Sequence, residues 1–197
     1  MSSSSKRHIL SCVGEARRKK VATAWHEAGH VVGGIGLGFR LIWSSLKARD
    51  LGNGEMSCGQ TAWEAPTVID PLQQTCVALA GKVAEEKRCG TATHDAARDD
   101  EAVIQTYAWV CKVGRKDRYK PHADIIPRLI AVYREQPDRV PLQVRHIADD
   151  LVSQAMPTTV QAVNDNWSAV ERVANLLLKH TTVTPELLSE NGISWRE

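Results

Sequence analysis

Residues 26–30 read His-Glu-Ala-Gly-His, and this pattern constrains the fold of the 197-residue chain more than any other feature. Apolar residues surround it at helical spacing: Val21, Ala24, Ala28, Val31 and Val32. This spacing predicts one helix from about Glu15 to Gly36. Positions four apart on a helix lie on one face, with Cβ atoms about 5–6 Å apart. His26 and His30 are therefore predicted to point in the same direction.

The residue types of this motif indicate metal chemistry. Two imidazoles on one helical face can bind Zn²⁺ at nitrogen–metal distances of about 2.0–2.1 Å. Zinc lowers the pKa of a bound water to about 7 and polarises a carbonyl group. Glu27, which adjoins the first histidine, is the predicted general base. The alternative is a pair of structural histidines held by hydrogen bonds, because a buried polar triplet needs a metal or such partners.

The third zinc ligand is not fixed by the spacing of the motif. Catalytic zinc sites use three protein ligands, and the extended pattern HExxHxxGxxH is excluded because position 36 is Gly. The stretch 93–101 is the richest in candidates, among them His94 and Asp99. The alternative role of Asp99 is to stabilise a helix N-terminus as an acid. His94 has the alternative of a position on a loop surface.

The remaining pattern predicts a mainly α fold, a helical domain with a small β-sheet beside the HExxH helix. Strands are predicted over about 40–47 and 55–63, around the turn at 52–54. Helices are predicted over about 71–87, 97–112 and 158–180, and a short last helix begins at residues 184–186. Gly29, Gly33 and Gly34 predict close packing of another element, with a helix end at Gly33-Gly34 as the alternative. Residues 1–14 are predicted to be a disordered basic arm, and residues 15–197 one domain.

Charge and composition exclude several classes of function. The net charge of +2 gives no support to a nucleic-acid binder. Because the sequence has no run of eighteen apolar residues, no membrane span is predicted. Five cysteines without a CxxC pair, and no secretory signal, predict reduced thiols and a cytoplasmic location. No phosphate loop of the form GxxxxGK[ST] occurs in the sequence, so ATP binding is not predicted.

Several segments together resemble one family. Residues 22–32 (Ala-Thr-Ala-Trp-His-Glu-Ala-Gly-His-Val-Val) resemble the zinc helix of the FtsH-type AAA+ metalloproteases, and residues 78–86 are similar to their helix ending in Ala-Glu-Glu. Ala97-Arg98-Asp99 looks like the segment that carries the third zinc ligand of this family, although Arg98 replaces its Asn. Residues 166–187 resemble the closing helix. The resemblance implies His26, His30 and Asp99 as zinc ligands and Glu27 as catalytic base.

The function implied is that of a zinc metalloendopeptidase that hydrolyses flexible or unfolded polypeptides and needs no ATP of its own. In the family, an edge strand beside the zinc helix binds the substrate as an added strand. We therefore expect Leu41, Trp43 and Leu46 to contact substrate, with a structural strand as the alternative. The alternative function is a non-catalytic adaptor or regulator of the same fold. Besides the polypeptide substrate, a second copy of the chain or a separate ATPase is a candidate partner.

Overall fold

The computed structural model describes residues 3–50, 56–57, 59–64, 70–92 and 142–193. In chain order, the described elements are α1 (Ser3–Gly36), β1 (Leu41–Ser45), β2 (Arg49–Asp50), β3 (Met56–Ser57), β4 (Gln60–Trp63), α2 (Pro71–Cys89), α3 (Leu142–Asp165), α4 (Trp167–His180), β5 (Thr182–Val183) and α5 (Pro185–Glu190). Helices predominate, and the small antiparallel sheet packs against α1. The predicted fold class is confirmed. The helix predicted over 97–112 lies outside the described residues.

The helix α1 continues through its glycines to Gly36, and α2 packs directly against Gly29 and Gly33. A Cβ added at Gly29 would collide with the carbonyl oxygen of Ala80, and one at Gly33 would lie 2.6 Å from the Cβ of Ala80. This close contact confirms the predicted packing and contradicts a helix end at Gly33-Gly34. The helix begins at Ser3, earlier than the predicted start near Glu15. The division of the chain into an arm of residues 1–14 and a domain of residues 15–197 stays a prediction.

The helix α2 has the ends that its sequence predicts. Asp70 caps the N-terminus, since its side chain accepts a hydrogen bond of 2.9 Å from the backbone N–H of Leu72. Pro71 occupies the first turn, where no intrahelical N–H bond is lost. At the other end, Gly90 adopts a φ of 85° and donates its N–H to the carbonyl of Glu86. The start at Pro71 and the stop before Gly90 are thus confirmed.

In the described part of the sheet, β1 lies between β4 and β5, and both pairs are antiparallel. Because β5 pairs with Ser44 and Ser45, the prediction that β1 is an edge strand is wrong. Leu41 belongs to the core and Leu46 packs against it. The prediction that Leu41, Trp43 and Leu46 contact substrate stays a prediction, but it has lost its premise of an open edge at β1.

The main core joins α1, α2 and α4 to the end of the chain. Its fully buried members include Ala28, Val31, Ala84, Val170 and Leu177. Beside it, the rings of Trp25 and Trp167 stack with their centroids 5.1 Å apart. The C-terminal helices thereby fix the segment of α1 that carries the motif.

The helix predicted over 158–180 is two helices in the structure. The helix is interrupted at Asn166, where the backbone N–H and the side-chain amide both donate to the carbonyl of Ala162, at 3.2 Å and 2.9 Å. The first of the two, α3, begins at Leu142 and runs through Pro157, so the predicted start near Thr158 is wrong. The last helix, α5, begins after Thr184 as predicted, and the side chain of Thr184 caps it.

Candidate metal centre

The histidine rings of the motif meet on the face of α1 that packs against α2. The rings of His26 and His30 are nearly perpendicular, with centroids 4.6 Å apart. Their Nε2 atoms lie 3.0 Å from each other. His26 is buried, and His30 is partly buried. The predicted convergence of the two side chains is confirmed.

Each ring is oriented through its Nδ1 atom by a group on α2. The Nδ1 of His30 lies 2.8 Å from the carbonyl oxygen of Val77. A carbonyl can only accept, so this Nδ1 carries the proton. The Nδ1 of His26 lies 3.1 Å from Oε2 of Glu85, which is fully buried, and it donates in the same way when the carboxylate is ionised. In both neutral rings the lone pair is therefore on Nε2.

Two lone pairs at this separation repel each other unless a shared proton or a cation lies between them. Two nitrogens bound to one Zn²⁺ at about 2.0–2.1 Å are about 3.3 Å apart at a tetrahedral angle. The observed 3.0 Å between the Nε2 atoms is close to that value. Metal-binding histidines typically donate their other ring N–H to a carboxylate or a backbone carbonyl. Glu85 and the carbonyl of Val77 are acceptors of these two kinds. The pair therefore fits a zinc ion by its donor atoms and by their orientation.

A glycine keeps the space beside these nitrogens open. A Cβ added at Gly81 would lie 2.6 Å from Nε2 of His30 and 2.9 Å from Nε2 of His26. Such distances are too short for real Cβ atoms, so any other residue would displace the two rings. Gly81 thus allows α2 to approach the site without filling it.

The candidate third ligands, Asp99 and His94, lie outside the described residues. Across the ranges described, no group of three or more His, Cys, Asp or Glu side chains is arranged to hold a metal ion. The described part of the centre therefore consists of the two histidines.

The carboxylate of Glu27 contacts the sheet. Glu27 is buried, and its Oε2 accepts a hydrogen bond of 2.6 Å from the hydroxyl of Thr61 in β4. On the same side, a Cβ added at Gly59 would lie 2.5 Å from Oε1 of Glu27. The backbone of Gly59 and the hydroxyl of Thr61 thus hold the carboxylate beside His26, which precedes it in the chain.

The sequence pattern did not identify most of the groups around the motif. The structure places Glu85 against His26, with its Oε2 3.1 Å from Nδ1 of the ring. Val77, Gly81 and Glu85 are spaced by four residues, so a stripe on one face of α2 was a signal available in the sequence. Thr61 had no such signal, because its contact with Glu27 spans 34 positions and joins a strand to a helix.

Comparison with known proteins finds sequence similarity to proteases. No family model matches it. The chain is 30% identical over 181 residues to the mouse mitochondrial inner membrane m-AAA protease component AFG3L2, a match that covers 89% of this chain and 22% of that protein. It is 26% identical over 190 residues to the ATP-dependent zinc metalloprotease FtsH of Chloroflexus aggregans, covering 88% of this chain and 28% of that protein. The chain thus spans about a quarter of the length of these relatives.

The match shows a distant similarity to zinc metalloproteases, and it covers most of this chain. Among the helices that the structure describes, none combines the length and apolar character needed to cross a bilayer.

Proposed function

We propose that this chain is a zinc-dependent metalloendopeptidase that hydrolyses peptide bonds in flexible or unfolded polypeptides. One observation carries the proposal: two imidazoles with Nδ1 bound to acceptors have Nε2 atoms 3.0 Å apart, beside a buried carboxylate. The similarity to two proteases, one of them named as a zinc enzyme, supports the same reaction.

In this proposal, His26 and His30 hold the zinc through Nε2, and Asp99 is the third ligand that the resemblance implies. Bound there, the zinc supplies Lewis-acid polarisation of the scissile carbonyl. Glu27 accepts a proton from the attacking water at its carboxylate and delivers it to the leaving amine. Glu85 and the carbonyl of Val77 keep both imidazoles in the tautomer that leaves Nε2 open to a metal.

The position of the sheet supports a polypeptide substrate. Among the described strands, β4 is the outer strand next to β1, and its Thr61 contacts Glu27. A peptide that pairs with β4 would therefore lie beside the carboxylate, and its backbone hydrogen bonds would not depend on side-chain identity. This arrangement replaces the predicted edge at β1.

ATP is not part of the proposed reaction. The sequence contains no phosphate loop, although the bacterial relative is named as ATP-dependent. We therefore expect cleavage of chains that are already unfolded. A stable domain exposes cleavable segments only rarely, since unfolding costs about 5–15 kcal/mol. A separate ATPase would be needed to unfold stable substrates, because a second copy of this chain also lacks a phosphate loop.

The test measures zinc content and hydrolysis of casein, a flexible polypeptide, by the purified chain. We expect one zinc per chain, loss of cleavage with a chelator, recovery when zinc is restored, and no effect of ATP. Stoichiometric zinc without hydrolysis of any peptide would favour the non-catalytic adaptor instead. Failure to bind zinc at all would reject the metal centre.

A further inference from the structure

Two hydroxyl groups link the centre of the sheet to Glu27. Ser44 in β1 and Thr61 in β4 are directly opposite each other in the strand pairing. Their hydroxyl oxygens are 2.8 Å apart, and the hydroxyl of Thr61 lies 2.6 Å from Oε2 of Glu27. Ser44 is fully buried, so the chain of contacts runs from the interior of the sheet to the carboxylate.

The chemistry of these groups fixes the direction of both hydrogen bonds. An ionised carboxylate only accepts, so Thr61 must give its one hydroxyl proton to Glu27. The oxygen of Thr61 can then only accept from Ser44, which donates. A hydrogen bond to an ionised group is shorter and stronger than one between neutral groups. The two bonds therefore act together to hold Oε2 in one place.

A second hydroxyl pair in the same sheet shows what a structural pair looks like. Ser45 and Thr182 are also opposite each other, in β1 and β5, with their hydroxyl oxygens 2.8 Å apart. The hydroxyl of Ser45 further contacts the backbone, at the carbonyl of Thr181 and the N–H of Lys47. Among the described residues, the pair of Ser45 and Thr182 connects to backbone groups, whereas the pair of Ser44 and Thr61 continues to a carboxylate beside the candidate metal centre.

We propose that Thr61 is a positioning residue for the general base: it holds Glu27 in the orientation that hydrolysis needs, and Ser44 orients the hydroxyl of Thr61. The inference rests on the proposed function. It assigns to the sheet a part in the reaction, in addition to the binding of substrate. In this proposal Thr61 and Ser44 contact neither the substrate nor the metal, and their effect on the rate passes through the carboxylate of Glu27.

The test compares Thr61→Val with Thr61→Ser in the full chain. Valine has the shape of threonine without the hydroxyl, and serine keeps the hydroxyl. We expect Thr61→Val to lower kcat for a peptide substrate by about 10–100-fold, the usual loss when a supporting hydrogen bond at such a site is removed. KM and zinc content should stay unchanged, and Thr61→Ser should recover most of kcat. Ser44→Ala should lower kcat by a smaller factor.

Thr182→Val is the matched control, because it removes the equivalent hydroxyl from the other pair and should leave kcat unchanged. In a Glu27→Gln background, Thr61→Val should cause no further loss of rate, since both act through one carboxylate.

If wild type and Thr61→Val have equal kcat while Glu27→Gln is inactive, the proposed function stands and this inference is wrong. An equal fall of kcat in Thr182→Val would also overturn it, and a wild-type chain without hydrolysis would reject both. If Thr61→Val does not fold, the kcat of Ser44→Ala is measured in its place. An unchanged kcat in Ser44→Ala would then overturn the inference.

Discussion

The two sides of the candidate centre are built from different elements. On the helix side, α2 touches both histidines: Glu85 and the carbonyl of Val77 bind their Nδ1 atoms, and Gly81 leaves room for their Nε2 atoms. On the sheet side, β4 holds Glu27 through Thr61. The histidines of the motif on α1 thus contact α2, whereas its glutamate contacts β4. If the proposed reaction is correct, this difference predicts that metal binding and proton transfer are separable by mutation, although their residues are adjacent in sequence.

The largest effect should come from the helix side. The double variant His26→Ala/His30→Ala removes both nitrogen ligands, so we expect loss of bound zinc and of all zinc-dependent hydrolysis. Metal analysis and the casein assay measure the two losses. His180→Ala is the matched control, because this histidine lies exposed at the end of α4. Stoichiometric zinc in the double variant would place the metal elsewhere.

The next largest effect should come from the sheet side and should spare the metal. Glu27→Gln keeps the size of the side chain and removes the base, so we expect about a 10²–10⁴-fold loss of kcat with zinc still bound. The exposed Glu86 on α2 provides the control Glu86→Gln, which should behave as wild type. Loss of zinc together with activity in Glu27→Gln would show that the two sides are not separable.

A third prediction concerns Asp99, the proposed third ligand, which lies outside the described residues. Asp99→Ala should lower both zinc affinity and hydrolysis, because two histidines alone leave a catalytic zinc without its third protein ligand. Asp100→Ala, one position further on, should be much milder. Zinc titration of both variants decides between them. A larger effect of Asp100→Ala than of Asp99→Ala would show that the ligand is Asp100.

The smallest of these effects should come from Gly81→Ala. The added Cβ would push against Nε2 of both histidines, so we expect zinc affinity to fall by about 10–100-fold, as for other disturbed contacts around metal ligands. Gly36→Ala is the matched control, since a Cβ there meets nothing within 4 Å. Circular dichroism would show whether both variants keep their helix content. Equal zinc affinity in the two variants would contradict the role given to Gly81.

Helices of this chain could be predicted because their signals are local. The apolar spacing around the motif, Pro71 at a start and Gly90 at an end lie within a few residues of what they determine. The convergence of His26 and His30 follows from the helix alone. The interruption at Asn166 was missed for the same reason, since the apolar spacing continues across it.

The order of the strands in the sheet, and the contacts on the sheet side of the centre, could not be predicted in this way. Strand β5 has two residues, too few to show an alternating pattern, and it reaches β1 from far along the chain. The position of β1 between two strands was therefore hidden. The contact of Thr61 with Glu27 depends on the same long-range packing. Local pattern thus identified the residues of the motif, and tertiary contacts decided what holds them.

The pairing of Ser44 with Thr61 has a consequence for the tolerance of this chain to insertions and deletions. The ladder between β1 and β4 shifts between Leu41 and Trp43, where β1 carries one extra residue. Removal of Ile42, which is 47% exposed, should regularise that shift and leave the Ser44–Thr61 pair in place. An insertion between Thr61 and Ala62 should instead move Thr61 by one position relative to Ala62 and Trp63, and turn its hydroxyl to the opposite face of the sheet, away from Glu27. We therefore expect related chains to vary in length before Trp43 and to keep Ser44 at a constant distance from the end of β1.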